Sequence, residues 1–396
     1  MVRNSVIYDL FQRDVFDVDK ILFVTNDFGP RAGGIETFII GLIERLPKGR
    51  VIVYTSGQSD TARYDSAWQR DYGVRVVRDR SKILLPTPRV ARAVGRLARE
   101  SSATIACFGA AAPLGLLAPT LRRAGVKRIV ALTHGHEVWW AKVFPFSIAL
   151  RRIGRSLDAL TYLGEFTRQA IATALPNSAK SAMVRIAPGI DVTHFSPDIN
   201  AAPLRKELGL ADKAVIVSVG RLVHRKGQDR LIEALPQIRR AVPNVHLLLV
   251  GEGPYRAKLQ KIAKKVGVVD AVTFIGRVQY AQLPTYIRLG DIFAMPSRSR
   301  LAGLEVEGLG IVYLEASACG LPVIAGNSGG APDAVLAGKT GLVVDGTNIE
   351  AVAAAAIELL SDIDRARAMG AAGREWIVSE WSWDLWAGAF SKVLKI

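Results

Sequence analysis

Short apolar runs alternate with longer amphipathic ones along the whole chain. In the first half KILFVTNDF, RVIVYTS, VRVVRD, ATIACFG, KRIVALTHG and ALTYLGE are rich in Val, Ile and Leu, which predicts strands covered on both faces. Between them IETFIIGLIERLP, PRVARAVGRLARE and EFTRQAIATAL repeat apolar residues at the spacing of one helix face. The second half repeats the scheme, with AVIVSVG, VHLLLVGEG, VTFIGRV, DIFAMPS, PVIAGNSGG and GLVVDG as strands. Its helices are DRLIEALPQIRRAV, YRAKLQKIAKKVG, IVYLEASACG and NIEAVAAAAIELLSD. Buried strands alternating with helices predict an α/β fold of two parallel-sheet halves. The stretch APGIDVTHFSPDINAAPLRKELG has no sheet pattern and predicts the hinge between them. The expected division is an extension over 1–19, domains over 20–190 and 191–375, and a terminal helix over 376–396. That last segment is rich in tryptophan (Trp376, Trp381, Trp383, Trp386) and is expected to cross back onto the first domain. Two such sheets leave a cleft at the carboxyl ends of their strands, where this architecture binds ligands.

One apolar run needs a separate reading. Ser101 to Leu121 carries no charge, a length that could span a bilayer. Gly109, Pro113, Gly115 and Pro119 interrupt it, so a buried strand, a turn and a helix fit better than a span. The chain of 396 residues is 49% hydrophobic and 22% charged, a globular composition that excludes disorder, coiled coil and collagen. Cys107 and Cys319 sit in apolar runs, which argues against a disulfide scaffold or a cysteine zinc site. The first twenty residues show no signal-peptide pattern, and a cytosolic location is expected. Charge is uneven: residues 1–190 carry 28 Lys and Arg against 15 Asp and Glu, and the remainder 24 against 21. Something anionic is expected to meet the first half, whether nucleic acid, an anionic membrane or an acidic substrate.

Three segments carry candidate chemistry. In NDFGPRAGGIETF, Gly33 and Gly34 open a helix, and such a turn either seats an anion on helix N–H groups or is a plain tight turn. In SVGRLVHRKGQDRL, Arg221 and Lys226 follow a strand in a glycine-containing loop. Two cations at a cleft mouth suit a diphosphate that gains charge as it leaves. The competing reading is a solvated basic loop, since His224 and Arg225 sit between them. In PSRSRLAGLEVEGLGIVYLEASACG, seven residues separate Glu307 from Glu315. Glu307 precedes a helix whose exposed N–H groups at Gly310, Ile311 and Val312 form a second anion seat, with Glu315 one turn inside. These carboxylates either accept from sugar hydroxyls or cap the helix. Glu305 could compete with Glu307, but its spacing to Glu315 is two residues longer.

The runs RLVHRKG, VGEGP, FIGRV and EGLGIVYLEASACGLPVIAGNSGGAPDAV together resemble the retaining glycosyltransferases of family 4. The GG turn and THGHE resemble the first domain of that family. NDFGPRAGGIETF and GHEVWWA resemble, more narrowly, the GDP-mannose-dependent phosphatidylinositol mannoside mannosyltransferases of actinobacteria. The resemblance implies the GT-B fold, with two Rossmann-like domains facing across a cleft. It implies that Gly34 faces the donor diphosphate, that Arg221 and Lys226 bind and stabilise it, and that Glu307 holds the transferred sugar. Gly310, Ile311 and Val312 would assist through their backbone, Glu315 would hold the ribose, and Val278 would meet the base. His134 would lie beside the donor sugar, with His136 as second choice. Leu309 stands where the family usually has Phe, and RSRLAGLEVEG is longer and more basic than the usual loop.

No Ser–His–Asp set, HExxH or Walker loop occurs. The strings DVD (17–19) and DID (362–364) resemble metal-binding DxD, yet neither is expected at the cleft. No metal or other cofactor is therefore expected, with Arg221 and Lys226 supplying the positive charge. The family's retention of configuration is explained by front-face attack, which requires no protein nucleophile.

Arg89, Arg92, Arg96 and Arg99 fall on one helix face, and Trp139 and Trp140 lie near Lys142, Arg151, Arg152 and Arg155. Aromatics beside cations suit an anionic membrane surface, and the narrower resemblance implies a glycolipid acceptor there, at the cytoplasmic face. The opposing reading is core aromatics and a solvated stripe. The alternatives are a soluble sugar or polysaccharide acceptor, or a basic nucleic-acid-binding protein. Against the last, no nucleic-acid motif occurs and the aromatics have apolar neighbours. Nothing in the sequence fixes the oligomeric state.

Overall fold

The protein's computed structural model describes residues 19–31 and 33–396. The expected N-terminal extension therefore lies outside the described residues, save Asp19. The first sheet holds β1 (Lys20–Thr25), β2 (Val51–Thr55), β3 (Arg75–Arg78), β4 (Ala103–Phe108), β5 (Arg128–Ala131), β6 (Ala159–Tyr162) and β7 (Met183–Arg185). All pairs are parallel, in the order β3-β2-β1-β4-β5-β6-β7. The second holds β8 (Ala214–Val219), β9 (Val245–Val250), β10 (Val272–Gly276), β11 (Ile292–Met295), β12 (Val323–Gly326) and β13 (Gly341–Val344). It is also parallel, in the order β10-β9-β8-β11-β12-β13. These are the two Rossmann-like domains expected. Helices cover both faces of each sheet, which is why central strands such as Ile21–Val24 are wholly buried and read as unbroken apolar runs.

Strand order reverses beside β1 in one sheet and beside β8 in the other. The segments leaving these reversal points become the cleft, since there the connecting loops diverge and leave a crevice. After β1 comes α1 (Gly34–Glu44); after β8 comes a short 3-10 turn over His224–Lys226 and then α5 (Gln228–Ala241). Between them the first domain contributes α2 (Pro88–Glu100), α3 (Glu137–Lys142) and α4 (Phe146–Ser156). The uncharged run 101–121 forms β4, a turn and the helix Ala118–Arg123. No helix among the described residues is long and apolar enough to cross a membrane.

The second domain continues with α6 (Ile311–Ala318) and α7 (Ile363–Glu380). Trp376 lies inside α7, so the return to the first domain starts later than residue 376. It is made by α8 (Trp383–Leu394), after a break at which Ile190 N–H donates to the Trp381 carbonyl (2.7 Å). Helix α8 lands on the first sheet: Phe390 meets Phe23 at 6.2 Å, and Arg128 Nε donates to the Val393 carbonyl (2.6 Å). Trp383 fills a slot between Gly41 and Gly189. A Cβ on either would lie 2.2 or 2.4 Å from Trp383 atoms, so neither position admits a side chain. The inner sides of both sheets and α8 share one continuous apolar core.

Candidate active site between the two sheets

A cavity of about 550 Å³ separates the domains. From the first domain Gly34, Phe38, His134, His136 and Trp139 face it; from the second, Lys226, Glu307, Gly310, Ile311 and Val312. The approach of the two walls depends on glycine. A Cβ on Gly308 would sit 2.5 Å from the His134 carbonyl oxygen, and one on Gly135 (φ +99°) 2.9 Å from Gly308 Cα. At the rim Lys142 Nζ donates to the Gly303 carbonyl across the gap (3.2 Å).

The second-domain wall is electrostatic. The 3-10 turn at the head of α5 presents Arg225 and Lys226 together, and both reach Glu307 Oε2, Lys226 Nζ at 2.9 Å. Burial alone would raise the Glu307 carboxyl; the Lys226 and Arg225 charges outweigh it and hold Glu307 below the usual range. Glu305 faces Arg225 Nε at 3.7 Å and also pairs with Arg300 (3.0 Å). The turn is braced from below: Arg298 N–H donates to the Arg225 carbonyl (2.9 Å), while its guanidinium pairs with buried Asp229 at 2.7 Å. Glu315 is different. It lies on α6, fully buried, and its Oε2 has no hydrogen-bond partner among the described residues. Burial pushes it up to about 7, with Lys226 pulling the other way.

The first-domain wall is built on buried Glu137. Its Oε2 accepts from His134 N–H (3.0 Å), and its Oε1 lies 3.2 Å from His136 Nε2. His134 Nε2 contacts the Gly109 carbonyl, so that nitrogen carries the proton, and burial lowers the ring's basicity. The ring stands edge-on to Phe38 at 5.7 Å. Gly34 is the first residue of α1, and a Cβ there would meet no protein atom within 4 Å.

Several expected residues do not line this cavity. Gly33 caps α1 in extended backbone and is not part of the cavity lining. Arg221 stands exposed at the carboxyl end of β8, outside the wall, without an acidic partner among the described residues. Val278 is half-buried against the core beyond β10. Asp362 of the DID string caps α7 by accepting from Arg365 N–H (3.0 Å). Arg225, which the sequence placed only in the competing reading of a solvated loop, joins Lys226 on Glu307. Adjacency to Lys226 hid it, because neighbouring residues converge on one acceptor only when a tight turn bends the chain.

The membrane-facing set needs correction. Arg89 is not a free cation: it grips buried Asp79 through two hydrogen bonds (2.8 and 2.7 Å) and Ser81 (2.8 Å). Its charge is neutralised locally, and Asp79 is held well below the usual carboxylate range. Trp139 faces the cleft and Trp140 packs on the first-domain core; both meet the Phe146 ring, at 4.7 and 5.0 Å. The exposed apolar side chains here are Phe144 (77%), Ile148 (58%) and, less so, Phe146 (36%). Arg92 and Arg96 are exposed as expected. The loop ahead of α2 adds Ile83 (65% exposed) and Leu85 (52%) beside exposed Arg80 and Lys82.

Residues 32–194 match the sequence family described as Glycosyltransferase Family 4, and residues 201–376 the family Glycosyl transferases group 1. Both halves thus point to one class, the two-domain glycosyltransferases. The chain is 48% identical over 365 residues to the GDP-mannose-dependent alpha-(1-6)-phosphatidylinositol monomannoside mannosyltransferase of Mycolicibacterium smegmatis, covering 92% of this chain and 95% of that one. The protein of the same name from Mycobacterium tuberculosis is 48% identical, covering 96% and 98%. A Corynebacterium glutamicum enzyme, named for a monoacylated form of that acceptor, is 41% identical, covering 95% and 98%. Among solved structures, Anabaena HepE in complex with UDP superposes with a TM-score of 0.80 over 95% of this chain and 99% of that one. At 21% identity that likeness concerns the GT-B fold. The chain belongs to the glycosyltransferase family that these mannosyltransferases represent.

Proposed function

We propose that the protein transfers an α-mannosyl group from GDP-mannose to a phosphatidylinositol mannoside, with retention of configuration and without a metal ion. The observation that carries the reading is the wall formed by Lys226, the amino end of α6 and the partnerless Glu315 behind it. A nucleoside diphosphate sugar supplies anionic oxygens for the N–H groups of α6 and for Lys226 beyond its pair with Glu307, and hydroxyl donors for the Glu315 carboxylate. Arg221, free at the end of β8, joins Lys226 on the diphosphate. Glu307 and His134 bracket the sugar, and the Val278 backbone meets the base. Relatives named for GDP-mannose and phosphatidylinositol monomannoside support the choice of donor and acceptor.

In the transfer, the bond from the sugar's anomeric carbon to the diphosphate breaks and a bond to the acceptor oxygen forms on the same face. The acceptor's hydroxyl proton passes to the departing phosphate. Glu307, bound by two cations, is a poor nucleophile, and nothing else on the wall is needed for a covalent step. Positioning and leaving-group stabilisation supply the rate. Calorimetric titration with GDP, GDP-mannose, UDP and UDP-glucose tests the donor. Preference for the guanine pair supports the reading; preference for the uracil pair overturns the donor assignment.

Glu315 gives this reading a pH signature. Hydroxyl groups that donate to it favour its ionised form, so donor binding lowers a carboxyl that otherwise titrates near 7. Near pH 6.5 GDP binding is expected to release a proton, read as a dependence of the calorimetric enthalpy on the buffer. Glu315→Gln removes the carboxyl's share of that release and leaves only the share of the terminal phosphate of GDP, which itself titrates at about 6. The free protein shows the converse in its stability. A carboxyl raised in the folded state contributes stability fully below its unfolded value near 4.5, and the contribution is lost as pH rises through about 7. Glu315→Gln therefore stabilises the unliganded protein above pH 7, measured by thermal denaturation.

The acceptor reading places the membrane on the surface formed by the 80–87 loop and α2. Ile83 and Leu85 enter the interface while Arg80, Lys82, Arg92 and Arg96 meet anionic headgroups. At about 1 kcal/mol per cation near an anionic surface, Arg92→Glu with Arg96→Glu is expected to weaken binding to anionic vesicles at least tenfold and leave GDP affinity unchanged. Vesicle sedimentation that is unaltered rejects this face.

A further inference from the structure

A second cavity, of about 450 Å³, lies in the second domain at the opposite edge of its sheet from the cleft. It opens where the chain enters β8, β11 and β12, at Ala214, Ile292 and Pro322. Its lining includes apolar Leu321, Leu360 and Ile363, the last 58% exposed, and the cations Lys213, Arg288 and Arg367 beside Arg205. The one carboxylate on the lining, Asp291, is already engaged by Arg205 (2.9 Å). The Lys213 ammonium is 4.0 Å from its nearest carboxylate, Asp212, and Arg367 has no acidic partner among the described residues. Arg288 gives Nη1 to the Cys319 carbonyl at 3.3 Å, and its Nε is buried without a partner. Three weakly compensated cations thus line one cavity, in a half of the chain where Lys and Arg outnumber Asp and Glu by only 24 to 21.

We propose that this cavity binds a small soluble organic phosphate, its anionic oxygens on Lys213, Arg288 and Arg367 and its apolar part against Leu360 and Ile363. The volume is within the range of small-molecule sites, and a lining that carries both cations and apolar side chains matches a phosphate ester better than a bare anion or a neutral ligand. The site is coupled to the cleft through α6. That helix starts at Ile311 and Val312 on the cleft wall and ends at Cys319, next to Gly320 and Leu321 on the cavity lining. Its eight residues span about 12 Å. A ligand that draws the Arg288 guanidinium from the Cys319 carbonyl acts on one end of the helix whose other end seats the nucleotide. Coupling of this kind is reciprocal, so nucleotide in the cleft changes affinity at the cavity by the same factor.

Phenyl phosphate is the probe, titrated into protein whose cleft is saturated with GDP. One saturable binding event is expected, weakened at least tenfold in the double variant Lys213→Glu, Arg367→Glu. Both side chains are on the surface, and the melting temperature without ligand verifies that the fold is kept. Saturating phenyl phosphate is also expected to change the GDP dissociation constant at least threefold in the unaltered protein and not in the double variant. Absence of saturable binding, or binding that survives the double variant, overturns the site. A GDP constant that is the same with and without the probe overturns the coupling. Displacement of the probe by phosphatidic acid vesicles overturns the soluble assignment in favour of a lipid headgroup. GDP binding measured alone tests the donor reading separately.

Discussion

Lys226→Ala is expected to lower kcat/KM for sugar transfer by roughly 30- to 1000-fold, or about 2–4 kcal/mol, the usual loss when one preorganised donor to a developing anion is removed. Three consequences converge on this ammonium. In the proposed reaction it is the cation that meets the leaving diphosphate; it also shares Glu307 with Arg225 and is the charge that moderates the burial of Glu315. The loss should fall more heavily on kcat than on GDP affinity, because charge on the leaving group grows only as the bond breaks. Steady-state kinetics beside GDP titration separates the two. Turnover within threefold of the unaltered enzyme rejects Lys226 as the stabilising group.

The second large effect is on stability. Trp383→Ala is expected to destabilise the protein by about 3–5 kcal/mol, as for other large buried aromatics. The indole fills the slot between Gly41 and Gly189, stacks on Phe38 at 6.5 Å and lies under the Arg45 guanidinium at 4.7 Å. No side chain on either glycine can move into the void, so the cavity persists. The urea midpoint of the transition that exposes the first-domain core measures it. A change worth less than about 1 kcal/mol would mean that α8 repacks freely.

Strand positions were largely readable because both sheets are parallel and buried, which writes each strand as an apolar run. The exception is β7, an edge strand of three residues in which Val184 is 37% exposed. The helix over Ala62–Tyr72 left no periodic trace either, since Trp68 is its one buried residue. At the site, Gly34, Lys226, Glu307 and the start of α6 were legible from local spacing, and His134 only from the resemblance that THGHE carries. What spacing could not reveal was pairing over distance. Arg225 meets Glu307 across 82 positions, and Arg89 is claimed by Asp79 from the preceding loop. Trp139 and Trp140 illustrate the same limit of spacing: both are half-buried and pack against the Phe146 ring, a contact that the positions of neighbouring cations do not reveal.

The path of α8 also bears on how the protein is made. The first sheet uses residues up to Arg185, yet its inner face is closed by Trp383, Phe390 and Val393. A chain growing from the ribosome emits the whole first domain while these residues are still unsynthesised. Until they arrive, Phe23, Phe38 and the slot beside Gly41 stay open to water and to other chains. The half that is translated first is completed last, and a nascent chain stalled anywhere before Trp383 carries an unfinished core.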